Sequence, residues 1–235
     1  MNRYAGLMFL TMWLGLGVAV GAAAPEPPGD RVARAYGIDG WAQVQQIAFT
    51  FHAKLPGREQ PIQRSWVWTP KTDAVVARAK SEEPILFQAD VPPEEESLRE
   101  LHQQFINDSY WLLFPFQLVW SNPSVSVHGE AELPIGEGTA TKLTAQWPDE
   151  GGYTPGDAYD LYLGEDGLIE QWVFRRGGGD EGRPATWEDH RRLGPIIVSL
   201  SHENADGSFR LWFTDVRVEL EHVEGWQTPV EMGGE

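Results

Sequence analysis

The sequence predicts a mainly β fold of the α+β class: a curved, incomplete antiparallel β-barrel of about ten strands with a helical lid on its concave side. Three observations predict it. Apolar and polar residues alternate with period two along most of the chain. Tight-turn residues join successive alternating runs, and one long, strongly apolar helical segment interrupts them in the middle.

The N-terminus reads as an export signal. In MNRYAGLMFLTMWLGLGVAVGAAAPEPPGD a single basic residue, Arg3, precedes an apolar run from Ala5 to Val20, then small residues and prolines. That layout gives a signal peptide over residues 1–23 and a Pro-rich linker over 24–30, with an uncleaved anchor as the alternative. No cysteine occurs in the 235 residues, which excludes thiolate zinc sites, thiol nucleophiles and a lipidated N-terminal cysteine. The expected location is therefore periplasmic or secreted, without a lipid anchor or a stable membrane span in the mature protein. The formal charge of −17 becomes −18 once Arg3 is removed, a field that repels nucleic acid and anionic bilayers.

The strands follow in order. In IAFTFHAK, Ile47, Phe49, Phe51 and Ala53 share a face; in QPIQRSWVWT, Ile62, Trp66 and Trp68 do. AVVARA (74–79), ILFQADV (85–91), SVSVHGEAEL (124–133) and TKLTAQW (141–147) continue the series. AYDLYLGEDGLIEQWVFRR is the clearest hairpin, turning at Gly164-Glu165-Asp166-Gly167, with Tyr159, Leu161 and Leu163 on one face and Trp172 and Phe174 on one face of its return strand. GPIIVSLSHE and SFRLWFTDVRVEL close the series across Ala205-Asp206-Gly207. In the last run Phe209, Leu211 and Phe213 alternate, then Val216, Val218 and Leu220, so a bulge is expected at Thr214–Asp215.

Helix is confined to two stretches. Residues 31–46 read as helical and broken or capped between Gly37 and Gly40. A second helix follows the prolines and acids at 90–96, with Leu98, Leu101 and Phe105 in one stripe. Asn107-Asp108-Ser109 is expected to interrupt it and cap a second short helix from Tyr110, and Pro115 to send the chain out as an extended PFQLVW. Residues 31–220 form one domain, and 221–235 an acidic, flexible tail.

QQFINDSYWLLFPFQLVW, GGYTPGDAYDLY with its GEDGLIEQWVF hairpin, and RSWVWTPKTDAVV resemble a family of uncharacterised bacterial secreted proteins. That family is similar in architecture to the LolA/LolB lipoprotein carriers, an incomplete antiparallel barrel closed by a helical lid over an apolar cavity. The resemblance covers most of the mature chain and implies ligand carriage as an expectation.

Catalytic signatures are scarce. None of the six histidines forms a metal-binding motif, and no nucleophile elbow, Walker loop or dinucleotide fingerprint is present, so no enzyme activity, metal or cofactor is expected. Asp157 in GGYTPGDAYDLY organises a turn or meets a ligand. Arg175, Arg176, Arg183, Arg191 and Arg192 form the basic cluster of an acidic chain; they either pair with surface acids or meet an anionic head group at a cavity mouth. Of eleven tryptophans, ten lie beyond the leader. Trp66, Trp68, Trp111, Phe114, Phe116, Trp172, Phe174 and Trp212 are expected to face the interior, as core or as the wall of a pocket.

The resulting expectation is an extracytoplasmic, non-catalytic carrier for a hydrophobic small molecule, lipid or acyl chain, with residues 94–120 moving to admit it. Another envelope protein is a further candidate partner, and nucleic acid is not. The alternatives are a cavity-free envelope scaffold and a carbohydrate-binding module using exposed Trp faces.

Overall fold

The computed structural model describes residues 25–78, 83–150 and 155–233. The expected leader at 1–23 lies outside these residues, as do Thr154 of the Asp157 turn segment and Ala79 of the third run.

The chain opens with α1 (Pro28–Ala35), which begins inside the segment whose prolines suggested a linker. Proline suits that position because the first helical N–H groups have no partner to lose. Gly37, at φ 85°, ends the turn, and a 3-10 helix (Ile38–Gln43) leads into the sheet. Four strands follow: β1 (Val44–Lys54), β2 (Ile62–Thr69), β3 (Ala74–Arg78) and β4 (Ile85–Gln88). After the long helix α2 (Glu96–Trp120) come β5 (Ser124–Glu132), β6 (Thr139–Gln146), β7 (Ala158–Leu163), β8 (Ile169–Arg175) and β9 (Arg183–Thr186). The chain closes with β10 (Glu188–Leu193), β11 (Ile196–Glu203), β12 (Arg210–Leu220), β13 (Val223–Gln227) and β14 (Val230–Glu231).

These strands build two curved antiparallel sheets that stay open rather than closing into a barrel. One has nine strands in the order β14-β10-β11-β12-β1-β2-β3-β4, with β13 paired to β12; the other runs β5-β6-β7-β8-β9. The chain crosses from the smaller sheet to the larger at Trp187, the single buried residue between β9 and β10. The strands beyond the expected ten are β9, β10, β13 and β14, of four, six, five and two residues.

The turn chemistry read from the sequence is present. Gly167 takes φ 79° in the β7–β8 hairpin, where Leu161 faces Trp172 and Tyr159 faces Phe174. The bulge in β12 is present too: Ala48 pairs with Arg217 but Thr50 with Thr214, and Asp215 absorbs the extra residue at φ 54°.

Three expectations are corrected. Of the expected tail at 221–235, the described residues up to 233 are not free, because β13 pairs with β12, β14 pairs with β10, and Glu231 lies 2.6 Å from Arg191. Asn107-Asp108-Ser109 does not interrupt the helix. Asp108 turns inward onto charged and indole partners on β2, so its side chain does not compete for local backbone. Nor does Pro115 end α2, which runs on to Trp120 with a kink at Leu113 (φ −119°, ψ 21°). Proline lacks the N–H and crowds the carbonyl of Trp111, a defect that bends a helix or breaks it. Here it bends, because Leu112, Leu113, Phe114, Phe116 and Leu118 are all buried and hold both halves in place.

The helix lies between the sheets. On one side Phe105 meets Trp66 at 5.6 Å between ring centroids and Phe87 at 6.1 Å. Immediately past the kink, Phe114 meets Tyr159 and Trp172 of the smaller sheet, each at 5.0 Å.

Candidate functional site: a cavity between the sheets

The interior is full beside Phe114 and empty beside Trp111. An open-mouthed cavity of about 1250 Å³ lies between the two sheets, walled on one side by α2. The helix contributes Gln103, Ile106, Asn107, Tyr110 and Trp111. The larger sheet gives Phe51 and Ala53 of β1 and Ile62 and Arg64 of β2. Tyr159, Trp172, Phe174 and the Arg183–Ala185 stretch form the opposite wall, and Asn204, Asp206, Phe209 and Leu211 form the end. The volume exceeds the roughly 300–1000 Å³ of a pocket for a drug-sized ligand. The wall is built by period-two alternation: Phe51 and Ala53 point inward from β1, and Leu211 does so from β12.

Trp111 stands at the centre of this wall. Its ring packs 4.4 Å from Trp172, 5.3 Å from His202 and 5.9 Å from Phe209, centroid to centroid. His202 is fully buried behind it, with Nδ1 3.2 Å from the Thr186 carbonyl, and burial pulls its pKa down to about 3. A neutral imidazole therefore backs the apolar wall at any physiological pH.

The main polar anchor is a buried carboxylate. Asp108, with no exposed side-chain surface, accepts from Arg64 Nε at 2.7 Å and Trp66 Nε1 at 2.9 Å. Arg64 Nη2 and Asn107 Nδ2 donate to its other oxygen. Burial pushes the Asp108 carboxyl up, and the Arg64 guanidinium, the amide and the indole work against that push. Arg64 also lies over the Phe51 ring at 4.8 Å, so the guanidinium side of this ion pair lines the cavity.

The eight aromatic residues expected inside divide into four groups. Trp111, Trp172 and Phe174 line the cavity. Trp66, Phe114 and Phe116 are buried core that supports it, and Trp68, half-buried against Trp41 and Phe105, borders a smaller pocket of about 190 Å³. Trp212 is on the other side: Leu211 and Phe213 are buried while Trp212 stacks on His52 at 4.9 Å and 5° on the outer face. Alternation along β12 dictates this, since Trp212 cannot share a face with both its neighbours. The sequence reading passed over Phe51, Ile106, Tyr110, Tyr159, Phe209 and Leu211, although the same alternation places Phe51 and Leu211 inward.

The arginine cluster does not assemble. Arg175 pairs with Asp160 at 3.0 Å, and Arg191 pairs with Asp189 and Glu231. Burial opposes ionisation of Asp160, but Thr144, Lys142 and Arg175 outweigh it and hold the carboxyl below its ordinary range. Arg176 and Arg192 are exposed away from the cavity, which Arg183 alone of the five lines. Asp157 accepts from the Gly177 N–H at 2.8 Å, tying down the β8–β9 loop rather than reaching the cavity. Among the described residues no group of three His, Asp or Glu side chains is placed to hold a metal ion, and no helix is long and apolar enough to cross a membrane.

Neither a protein-family model nor a curated protein matches the chain. Among solved structures, the chain is similar to a DUF1329 family protein from Desulfovibrio piger: TM-score 0.45, 9% identity, 84% of this chain and 94% of that one covered. It is also similar to a LolA superfamily protein from Nitrosomonas europaea: TM-score 0.44, 8% identity, 83% of this chain and 94% of that one covered.

Proposed function

We propose that this protein is an extracytoplasmic, non-catalytic binding or carrier protein for a hydrophobic ligand, such as a lipid or an acyl chain. The observation that supports this reading is the void of about 1250 Å³ beside Trp111, walled by Phe51, Trp172, Phe174 and Phe209. Each methylene moved from water into such a wall contributes about 0.8 kcal/mol, so an acyl chain supplies the binding energy without any covalent step. A cavity-free scaffold does not need this void. A sugar-binding surface is less well supported, since the ring of Trp212 is stacked on His52, that of Trp226 lies against Arg217 at 4.8 Å, and Trp41 and Trp120 pack on each other at 5.2 Å.

The test is solvent extraction of the purified protein followed by mass spectrometry, with titration of a lipophilic dye read by tryptophan fluorescence. A co-purifying lipid, or saturable dye binding that quenches Trp111 and Trp172, is expected. Absence of both would sink the carrier reading.

A further inference from the structure

We infer that the ligand is an amphiphile with an anionic head, and that Arg183 is the group that meets that head at the cavity mouth. The inference rests on the carrier reading above and adds a charge preference to it. Two arginines reach the cavity in a chain of formal charge −17, and they differ in state. Arg64 is gripped by the buried Asp108 through Nε and Nη2, so its charge is neutralised locally. Arg183 is exposed, and among the described residues it has no carboxylate partner.

The backbone that presents Arg183 is fixed on both sides. Gly182 lies so close to β8 that a Cβ there would stand 2.2 Å from Val173 Cγ1, and Pro184 locks the next residue on the outermost strand of the smaller sheet. The register sets Arg183 opposite Phe174, which is itself part of the cavity wall. A planar guanidinium on a rigid strand end, beside an apolar wall, suits the two oxygens of a carboxylate or phosphate while the chain lies inside. The rim also holds Asp206, whose carboxylate accepts from the Ser208 N–H at 2.9 Å and is thereby engaged with its own turn.

The experiment titrates the full-length mature protein with hexadecanoate, a hexadecanoyl lysophosphatidate and hexadecanol, read by tryptophan fluorescence, and repeats the series on Arg183→Gln and Arg183→Glu. At least one anionic amphiphile is expected to bind roughly tenfold tighter than the alcohol in the wild type. That ratio should fall to near one in Arg183→Gln and below one in Arg183→Glu, and the identity of the preferred anion tells carboxylate from phosphate. Equal binding of anions and alcohol by the wild type, or an unchanged ratio in Arg183→Gln, overturns the anionic head while the carrier reading stands. Saturable binding of none of the three overturns both. Circular dichroism of both variants should match the wild type, so that a lost ratio reports the head contact rather than unfolding.

Discussion

Arg64 on β2 and Asp108 at the middle of α2 form a two-point ion pair, with Nε to Oδ2 at 2.7 Å and Nη2 to the second oxygen. It joins the nine-stranded sheet to the helix beside the cavity. Removing one partner leaves the other charge without its counterpart in a dry place, whereas replacing both by apolar groups need not be costly. Asp108→Ala should therefore lower stability by about 3 kcal/mol, at the low end for such pairs because the Arg64 side chain is 21% exposed. The double variant Arg64→Met/Asp108→Leu should recover most of that loss. Urea denaturation of the three proteins checks it; equal losses in the single and double variants would refute the pairing argument.

Acid should destabilise the fold through buried histidine. His202 has its pKa lowered by burial to about 3, against an ordinary unfolded value near 6.5, so the unfolded chain takes up the proton first. The stabilisation is fully present above about pH 6.5 and is lost as pH falls toward 3, at up to about 1.4 kcal/mol per pH unit. His190, also lowered by burial, adds to the same slope. His202→Gln should flatten, without abolishing, the fall in unfolding free energy between pH 6.5 and 4.5. Asp160 acts only below that window, because a depressed carboxylate loses its contribution as pH drops through its folded pKa.

Core and cavity should respond oppositely to changes in side-chain volume. Phe114 has no exposed surface and packs on Tyr110, Trp147, Tyr159 and Trp172. Phe114→Ala should cost roughly 3–5 kcal/mol. Ala53→Phe places new bulk into empty space on the cavity wall instead. It should cost under about 1.5 kcal/mol while weakening dye binding by roughly tenfold. Thermal melts paired with dye titration separate the two effects.

Gly37 should tolerate no side chain. Its φ is 85°, and a Cβ would stand 2.3 Å from the carbonyl oxygen of Pro195, a backbone atom that cannot rotate away. Gly37→Ala should lower stability by about 2–4 kcal/mol, more than the 1–2 kcal/mol of a left-handed alanine alone. The measurement is the denaturation midpoint in urea.

Local pattern carried much of this structure, and its failures were tertiary. Period two places Phe51, Trp172 and Phe174 on inward faces, and the phase slip at Thr214–Asp215 locates the bulge, because both depend only on near neighbours. Pro115 and Asn107-Asp108-Ser109 misled for the opposite reason. Their local preference is to stop a helix, and burial between two sheets overrides it. Asp108 had a readable sign: it falls three residues after Phe105 and four before Leu112, on the inward stripe, where an acid needs a partner. That the partner is Arg64 depends on how β2 faces α2, which no local pattern encodes. The pocket itself is a difference between filled and unfilled volume, set by all its walls together. Trp212 was misplaced by its residue type, against the alternation of its own strand.

Leaving both sheets open has a consequence for how the molecule meets others of its kind. An unclosed sheet presents unpaired N–H and C=O groups along its margins, which invite a further strand. Besides β13, which pairs with β12 alone, four margins remain, and these are poor templates. The larger sheet ends in β14, two residues long, and β4, four residues long. The smaller ends in β9, which carries Pro184, and β5, which is bulged between Val127 and Gly129 and bears Glu130 and Glu132. An architecture that keeps a cavity accessible thereby disfavours strand addition at these four edges.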